Sequence, residues 1–223
     1  MPFVNPATGE QFGSVPMTTA VEVQNARREM GTAAQTWAAK SIKERVRIVR
    51  KLQALLIDEM DEITAVMNQD NGKSRQDALS ELFMSVDLIN QYCHRAPQWL
   101  RRRRISPGLQ IFKRCYIEYH PHGVVGVIGP WNYPLVLIVP PVVSALLAGN
   151  TVLVKPSEVT AATGVMIEQL FQKVPELAPF VRFLHGDGRV GSALVQSKPD
   201  LIFLTGSTKT GRLVMKAAAE NMT

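Results

Sequence analysis

From Gly123 to Val154 the chain carries no charged side chain. Long uncharged apolar runs are candidate membrane spans, but this one contains Pro130, Pro134, Pro140 and Pro141. A proline inside a helix costs about 3 kcal/mol, so no uninterrupted apolar helix remains to cross a bilayer. The run divides into three pieces instead. Val124 to Ile128 is a short β-branched strand, Pro134 to Ala148 an apolar helix expected to kink at Pro140, and Thr151 to Val154 a second β-branched strand after the stop at Gly149-Asn150. Two strands that are apolar on both faces and joined by a helix make a βαβ unit of a parallel sheet. Such sheets take ligands at the carboxyl ends of their strands. Here those ends are Gly129-Pro130-Trp131-Asn132 and Lys155-Pro156-Ser157-Glu158, and polar groups gather at both.

The flanking sequence extends this pattern. Toward the C-terminus, a helix over Thr160 to Lys173, a strand over Val181 to Leu184, a helix over Val190 to Ser197, a strand over Leu201 to Thr205 and a helix over Gly211 to Glu220 alternate. That order predicts an α/β fold with a doubly wound, Rossmann-like parallel sheet. Toward the N-terminus, Asn5-Pro6-Ala7-Thr8-Gly9-Glu10 is a turn signal. Thr19-Ala20-Val21-Glu22 and Ser41-Ile42-Lys43-Glu44 are capping boxes. The first box opens a helix with Val23, Ala26, Met30, Ala33 and Trp37 on one face. The second opens one long stripe through Ile42, Val49, Leu52, Leu56, Ile63 and Met67, ended by Asn71-Gly72. A third helix is expected from Ser74 to Ala96, with Leu82, Phe83, Val86, Ile89 and Cys93 inward and Pro97 closing it. Arg102 to His120 fits neither a helix nor a buried strand and reads as a β-hairpin or extended arm, either a connector or a surface that pairs with another chain. Three parts follow: a helical part over 1–101, an arm over 102–120 and a parallel-sheet core over 121–223.

Composition narrows the function classes. The 223 residues are 46% apolar with a formal net charge of +6, which is ordinary for a globular protein. Part of the excess lies in Arg101-Arg102-Arg103-Arg104. These arginines read as a solvated helix end rather than a nucleic-acid patch, because cations favour a helix C-terminus and no aromatic residues interleave with them. Two cysteines without metal-ligand spacing point to a reducing compartment and no metal site. The opening residues lack a basic start followed by an apolar stretch, so the expectation is a cytoplasmic protein without a membrane or nucleic-acid partner.

Several residues could carry chemistry. Gly186-Asp187-Gly188-Arg189-Val190-Gly191 matches G-x-G-x-x-G at a strand-to-helix turn. The acidic residue expected about 20 residues on is missing from the end of the next strand, Leu204-Thr205-Gly206, and Asp200 stands at its start. Gly206-Ser207-Thr208-Lys209-Thr210-Gly211 lies at a second strand-to-helix turn, where hydroxyls and free N–H groups suit a phosphate. Either could be a plain glycine turn. Lys155 offers donors and Glu158 acceptors, so together they match a vicinal diol; each alone reads as a surface charge. Asn132 is either a turn-capping amide or a donor aimed at a developing oxyanion.

Pro130-Trp131-Asn132-Tyr133-Pro134, then Gly149 to Glu158, then Leu204 to Gly211, in that order and spacing, resemble the aldehyde dehydrogenase superfamily. The Asn5 to Glu10 turn fits as well, and the resemblance covers essentially the whole chain. The stretch Ala217 to Thr223 is most similar to the class 3 and coniferyl-type branch. The resemblance implies that Asn132 stabilises the oxyanion of the thiohemiacetal and that Lys155 and Glu158 hold the adenosine ribose. It implies that Gly206 and Ser207, in the turn that Gly211 closes, take the pyrophosphate, that Gly188 lies near the adenine, and that Ile128, Pro130, Trp131 and Asn132 line the cofactor on the nicotinamide side. Glu158 would repel a 2′-phosphate, favouring NAD over NADP, though this branch tolerates both. It further implies an aldehyde substrate, aromatic in the coniferyl-type branch, and a homo-oligomer, dimer or tetramer. The family's nucleophilic cysteine and its glutamate base, in an E-L-G-G-type segment, are not among these residues; Cys93 and Cys115 match neither motif and read as structural. The expectation is the N-terminal, NAD-binding part of an enzyme that oxidises aldehydes to acids, inactive by itself. The alternatives are a CoA-acylating or phosphate-reducing relative, or a nucleotide-binding protein without catalysis.

Overall fold

The computed structural model describes Met1 to Thr223. A short antiparallel pair, β1 (Pro2–Val4) and β2 (Gln11–Ser14), leads into four helices: α1 (Ala20–Ala38), α2 (Ile42–Asp58), α3 (Met60–Asn71) and α4 (Arg75–Trp99). The hairpin β3 (Arg103–Ile105) and β4 (Cys115–Ile117) follows. The remainder alternates: β5 (Val124–Ile128), α5 (Val139–Leu147), β6 (Thr151–Lys155), α6 (Ala161–Gln172), β7 (Val181–Phe183), α7 (Gly188–Gln196), β8 (Leu201–Leu204) and α8 (Thr208–Ala219).

The four core strands form one parallel sheet in the order β7-β6-β5-β8. The chain moves outward from β5 through β6 to β7, then returns to add β8 on the other side of β5. The sheet therefore reverses direction at β5. Register aligns Ile128 with both Lys155 and Leu204, so three strands end at one level. All five residues of β5 and of β6 are buried, as expected for a parallel sheet covered on both faces. Val125, Val127, Val152 and Val154 join the larger core with α2 to α6, while Val124, Ile128 and Leu153 pack with α1 and α7 on the opposite face. Buried Trp37 ties the layers together by donating its indole N–H to the Leu146 carbonyl (2.8 Å).

Both capping boxes form as read: Glu22 closes on Thr19, and Glu44 on Ser41. Gly72 ends α3 in the left-handed conformation, φ +77°. Five details depart from the sequence expectation. The long stripe breaks into α2 and α3 at Glu59. Asp61 and Glu62 lie in the first turn of α3, where carboxylates favour a helix start. Pro140 and Pro141 do not kink a helix, because α5 begins at Val139 and places both in its first turn, where no intrahelical N–H is required. Pro97 lies within the last turn of α4 rather than closing it. Phe83 points outward, 72% exposed, and Leu82 takes the core position beside it. The arginine run is not a helix end: Arg103 and Arg104 belong to β3, and Arg102 stacks on the Tyr116 ring (4.0 Å) and pairs with Glu118. No helix is long and apolar enough to cross a membrane.

Asp70, 4% exposed at the end of α3, accepts from the Thr163 amide (2.7 Å) and hydroxyl (2.8 Å) and so joins α3 to α6. Burial pushes its carboxyl above the ordinary value, with the Thr163 donors opposing part of the rise. A raised folded pKa means that folding favours the protonated form. This contribution is complete below the unfolded pKa, near 3.9, and is lost as pH rises through the folded value. The stability difference between wild type and Asp70→Asn, followed by denaturant titration at stepped pH, is expected to move in favour of wild type as pH falls. A difference independent of pH would contradict the assignment.

Candidate functional site

Three strand ends and two helices enclose a cleft of ≈ 820 Å³ at the carboxyl edge of the sheet. From β5 come Ile128, Gly129, Pro130, Trp131 and Asn132; from β6, Lys155, Ser157 and Glu158; from β8 and α8, Gly206, Ser207 and Thr210; and from α7, Gly188 and Gly191. It lies where the strand order reverses, the position at which open α/β sheets bind ligands. Of the residues expected from sequence, Ile128, Pro130, Trp131, Asn132, Lys155, Glu158, Gly188, Gly206 and Ser207 line this one cleft. Gly211 does not: α8 starts at Thr208 rather than Gly211, which puts Gly211 inside the helix, next to Leu204.

Lys155 ends a fully buried strand and is itself 5% exposed. A buried ammonium requires a partner, and Glu158 provides it at 2.7 Å. Ser157 caps the short turn that carries Glu158 by accepting from the Val159 amide (3.2 Å). One charge of the pair is buried and the other, 42% exposed, faces solvent. The pair therefore offers N–H donors and a carboxylate acceptor side by side at the cleft wall.

The two glycine turns differ in charge. At α7 the cap is Asp187, whose carboxylate accepts from the Arg189 amide (2.9 Å) and pairs with the Arg189 side chain (2.9 Å). The Arg189 hydrogen bonds hold that carboxyl below its usual value. An anion approaching this helix start would meet a carboxylate already there. At α8 the cap is the neutral Ser207 hydroxyl, which accepts from the Thr210 amide (3.1 Å). The first amides of a helix have no intrahelical acceptor, so α8 presents open donors without a competing negative charge. The literal G-x-G-x-x-G supplies space instead: a Cβ at Gly188 or Gly191 would meet nothing within 4 Å.

Gly129 is a different glycine. A side chain there would collide with Ile138, so only glycine lets the loop turn over the start of α5. The Gly129 amide donates to the Lys155 carbonyl (3.1 Å), and the Thr205 amide to the Ile128 carbonyl (3.0 Å), which locks the three strand ends together. Val195, Leu213, Val214 and Ala217 add an apolar wall between α7 and α8. Sequence reasoning placed these on helices without assigning them to the site, because only the packing of α7 against α8 brings them to the cleft.

A second hollow of ≈ 450 Å³ is lined by Glu22, Glu29, Glu168, Arg182 and His185. Its charges are closed on one another, Arg182 on Glu29 at 2.9 Å and His185 on Glu168 at 2.7 Å, which leaves less for a ligand than the cleft does. No group of three or more His, Cys, Asp or Glu side chains is arranged to hold a metal ion.

The profile of the aldehyde dehydrogenase family matches residues 1–223. The chain is 38% identical over 221 residues to a 4,4′-diapolycopene aldehyde oxidase of Methylomonas, across 98% of this chain and 42% of that protein. It is 29% identical over 215 residues to a putative succinate-semialdehyde dehydrogenase [NADP(+)] of Mycobacterium tuberculosis, across 96% of this chain and 42% of that one. A crystal structure of an NAD-dependent benzaldehyde dehydrogenase from Corynebacterium glutamicum superposes with a TM-score of 0.91 at 29% identity, across 99% of this chain and 49% of that one. The chain thus spans less than half the length of these relatives.

The contrast between the glycines is testable by substitution. Gly129→Ala should destabilise the fold by about 1–3 kcal/mol, the usual cost of overpacking. Gly191→Ala lies in a helix with open space beside it and should hold or raise the melting temperature, since alanine is favoured over glycine there by up to about 1 kcal/mol. Equal melting temperatures for the two variants would contradict the packing described.

Proposed function

Because the chain belongs to the aldehyde dehydrogenase family, we propose that it forms the NAD-binding part of an enzyme that oxidises aldehydes to carboxylic acids. The observation that carries this reading is convergence. Asn132, the Lys155–Glu158 pair and the Gly206–Ser207 turn come from three different strands and line one cleft at the point where the sheet reverses.

In this reading the Lys155 ammonium donates to one hydroxyl of the adenosine ribose and the Glu158 carboxylate accepts from the other. The N-terminus of α8 meets the pyrophosphate through its open amides. Val195, Leu213 and Val214 flank the adenine, with Gly188 and Gly191 leaving room for it. Bound NAD supplies the hydride acceptor. A 2′-phosphate would be pressed against Glu158, so NAD is preferred, and NADP binds only if that carboxylate turns away. Asn132 contributes an amide donor to the oxygen that gains negative charge when a nucleophile adds to the aldehyde. A pre-aimed donor of this kind stabilises the transition state more than the ground state. Neither cysteine suits the nucleophile: Cys93 is buried, burial raises its thiol pKa, and Cys115 lies in β4. We assign the thiolate and the general base to residues outside 1–223. Trp131, Tyr133 and Leu137 give the chemical end of the loop an aromatic and apolar character, which suits an aldehyde with an apolar or aromatic body.

The ribose assignment is tested by calorimetric titration of NAD. Lys155→Ala and Glu158→Ala should each weaken binding, Glu158→Ala with a fall in melting temperature as well because it leaves the buried ammonium unpaired, and Glu158→Gln should narrow the gap between NAD and NADP. Unchanged affinities in all three would remove the assignment. The oxyanion assignment is tested by steady-state kinetics in an enzyme that carries these residues together with the nucleophile. There, Asn132→Ala should lower kcat by about 10²–10³-fold and change NAD affinity far less. Full turnover in that variant would show that the amide has another purpose.

A further inference from the structure

The loop that carries Asn132 does little to hold itself. Between Pro130 and Val136 its backbone makes few local hydrogen bonds; the first turn forms only where the Leu137 amide donates to the Tyr133 carbonyl (3.1 Å). Three side chains from elsewhere hold it instead. Asn71, the last residue of α3, donates its side-chain amide to the Trp131 carbonyl (2.7 Å). Lys73 donates to the Asn132 carbonyl (3.0 Å), and its ammonium lies 4.9 Å from the centre of the Tyr133 ring. Glu81, inside α4, has a side chain 0% exposed. One of its oxygens accepts from the amides of Leu135 (2.7 Å) and Val136 (3.0 Å), and the other pairs with Lys73. A carboxylate that is fully buried is costly unless every charge and lone pair is met. Here it is met by two amides of the turn that leads into α5 and by one lysine that also grips the loop.

We propose that Glu81 and Lys73 are positioning residues that set where the Asn132 amide sits. This rests on the oxyanion reading of Asn132. Glu81 fixes the loop on the α5 side and Lys73 fixes the carbonyl of Asn132 itself, so the two anchors bracket the amide along the chain. Their ion pair ties both anchors to one point on α4. Loss of the pair frees the segment from Asn132 to Val136 to shift while Asn71 still holds the Trp131 carbonyl, and a misplacement of about 1 Å at a reacting group can cost about 10²-fold in rate. The ribose end of the cleft lies on β6 and makes none of these contacts, so cofactor affinity stays put.

The test is a set of variants in an enzyme carrying residues 1–223 with the nucleophile: Glu81→Gln, the neutral pair Lys73→Met with Glu81→Gln, Asn132→Ala, and Asn132→Ala combined with Glu81→Gln. The neutral pair leaves no buried unpaired charge and guards against a simple folding failure. Both Glu81 variants should lose about 10²-fold in kcat with the NAD dissociation constant unchanged, and hydrogen exchange at the Leu135 and Val136 amides should accelerate. If Glu81 acts through Asn132, adding Glu81→Gln to Asn132→Ala should cost little more than Asn132→Ala alone. Multiplying losses, or NAD affinity falling in step with kcat, would overturn the positioning role. If Asn132→Ala alone kept full turnover, the oxyanion reading would fail instead and take the positioning role of Glu81 with it; Asn132→Ala thus separates the two failures.

Discussion

Strand β5 is enclosed on every side, by β6 and β8 at its edges and by apolar layers on both faces. Every backbone group in such a strand is satisfied by its neighbours, and every side chain must be apolar. Chemistry can enter only at the ends. The register places the ends of β6 and β8 at the level of Ile128, so whatever each strand carries beyond its last apolar residue shares one rim. Asn132, Lys155 and Ser207 are distant in sequence and close in the cleft for that reason.

The same constraint puts two glycine-rich turns at that edge. Both start helices after parallel strands, and both have the backbone for an anion site. What separates them is the cap. A carboxylate at Asp187 already fills the role an anion would take, and Arg189 holds it ionised, whereas Ser207 caps α8 without charge. A motif match alone favours α7; the charge of the capping residue favours α8.

How much of this could be seen in the residues depends on what each feature needs. The strand and helix alternation, both capping boxes and the stop at Gly72 are local, with the signal and the structure within four residues of one another. The candidate residues at the ends of β5, β6 and β8 were visible because a parallel sheet forces polar groups to those ends. The errors came where local patterns were ambiguous. Leu82 and Phe83 are adjacent and both apolar, and only packing into the larger core selects the first. Pro140 reads as a kink or a first-turn residue depending on where the helix begins. Gly211 belonged to a turn in sequence but to a helix in space. The loop anchors are not legible as anchors: Asn71 reads only as part of a helix stop and Lys73 and Glu81 as ordinary polar residues, and the meaning of each depends on a contact 54 to 60 positions away.

The way a dinucleotide lies in the cleft decides between the two helix starts. A crystal structure with NAD bound should show the adenosine ribose hydroxyls on Lys155 and Glu158, the pyrophosphate at the Gly206–Ser207 turn ahead of α8, and the nicotinamide toward Trp131 and Asn132. A pyrophosphate seated at Asp187 and Gly188, over the start of α7, would contradict it.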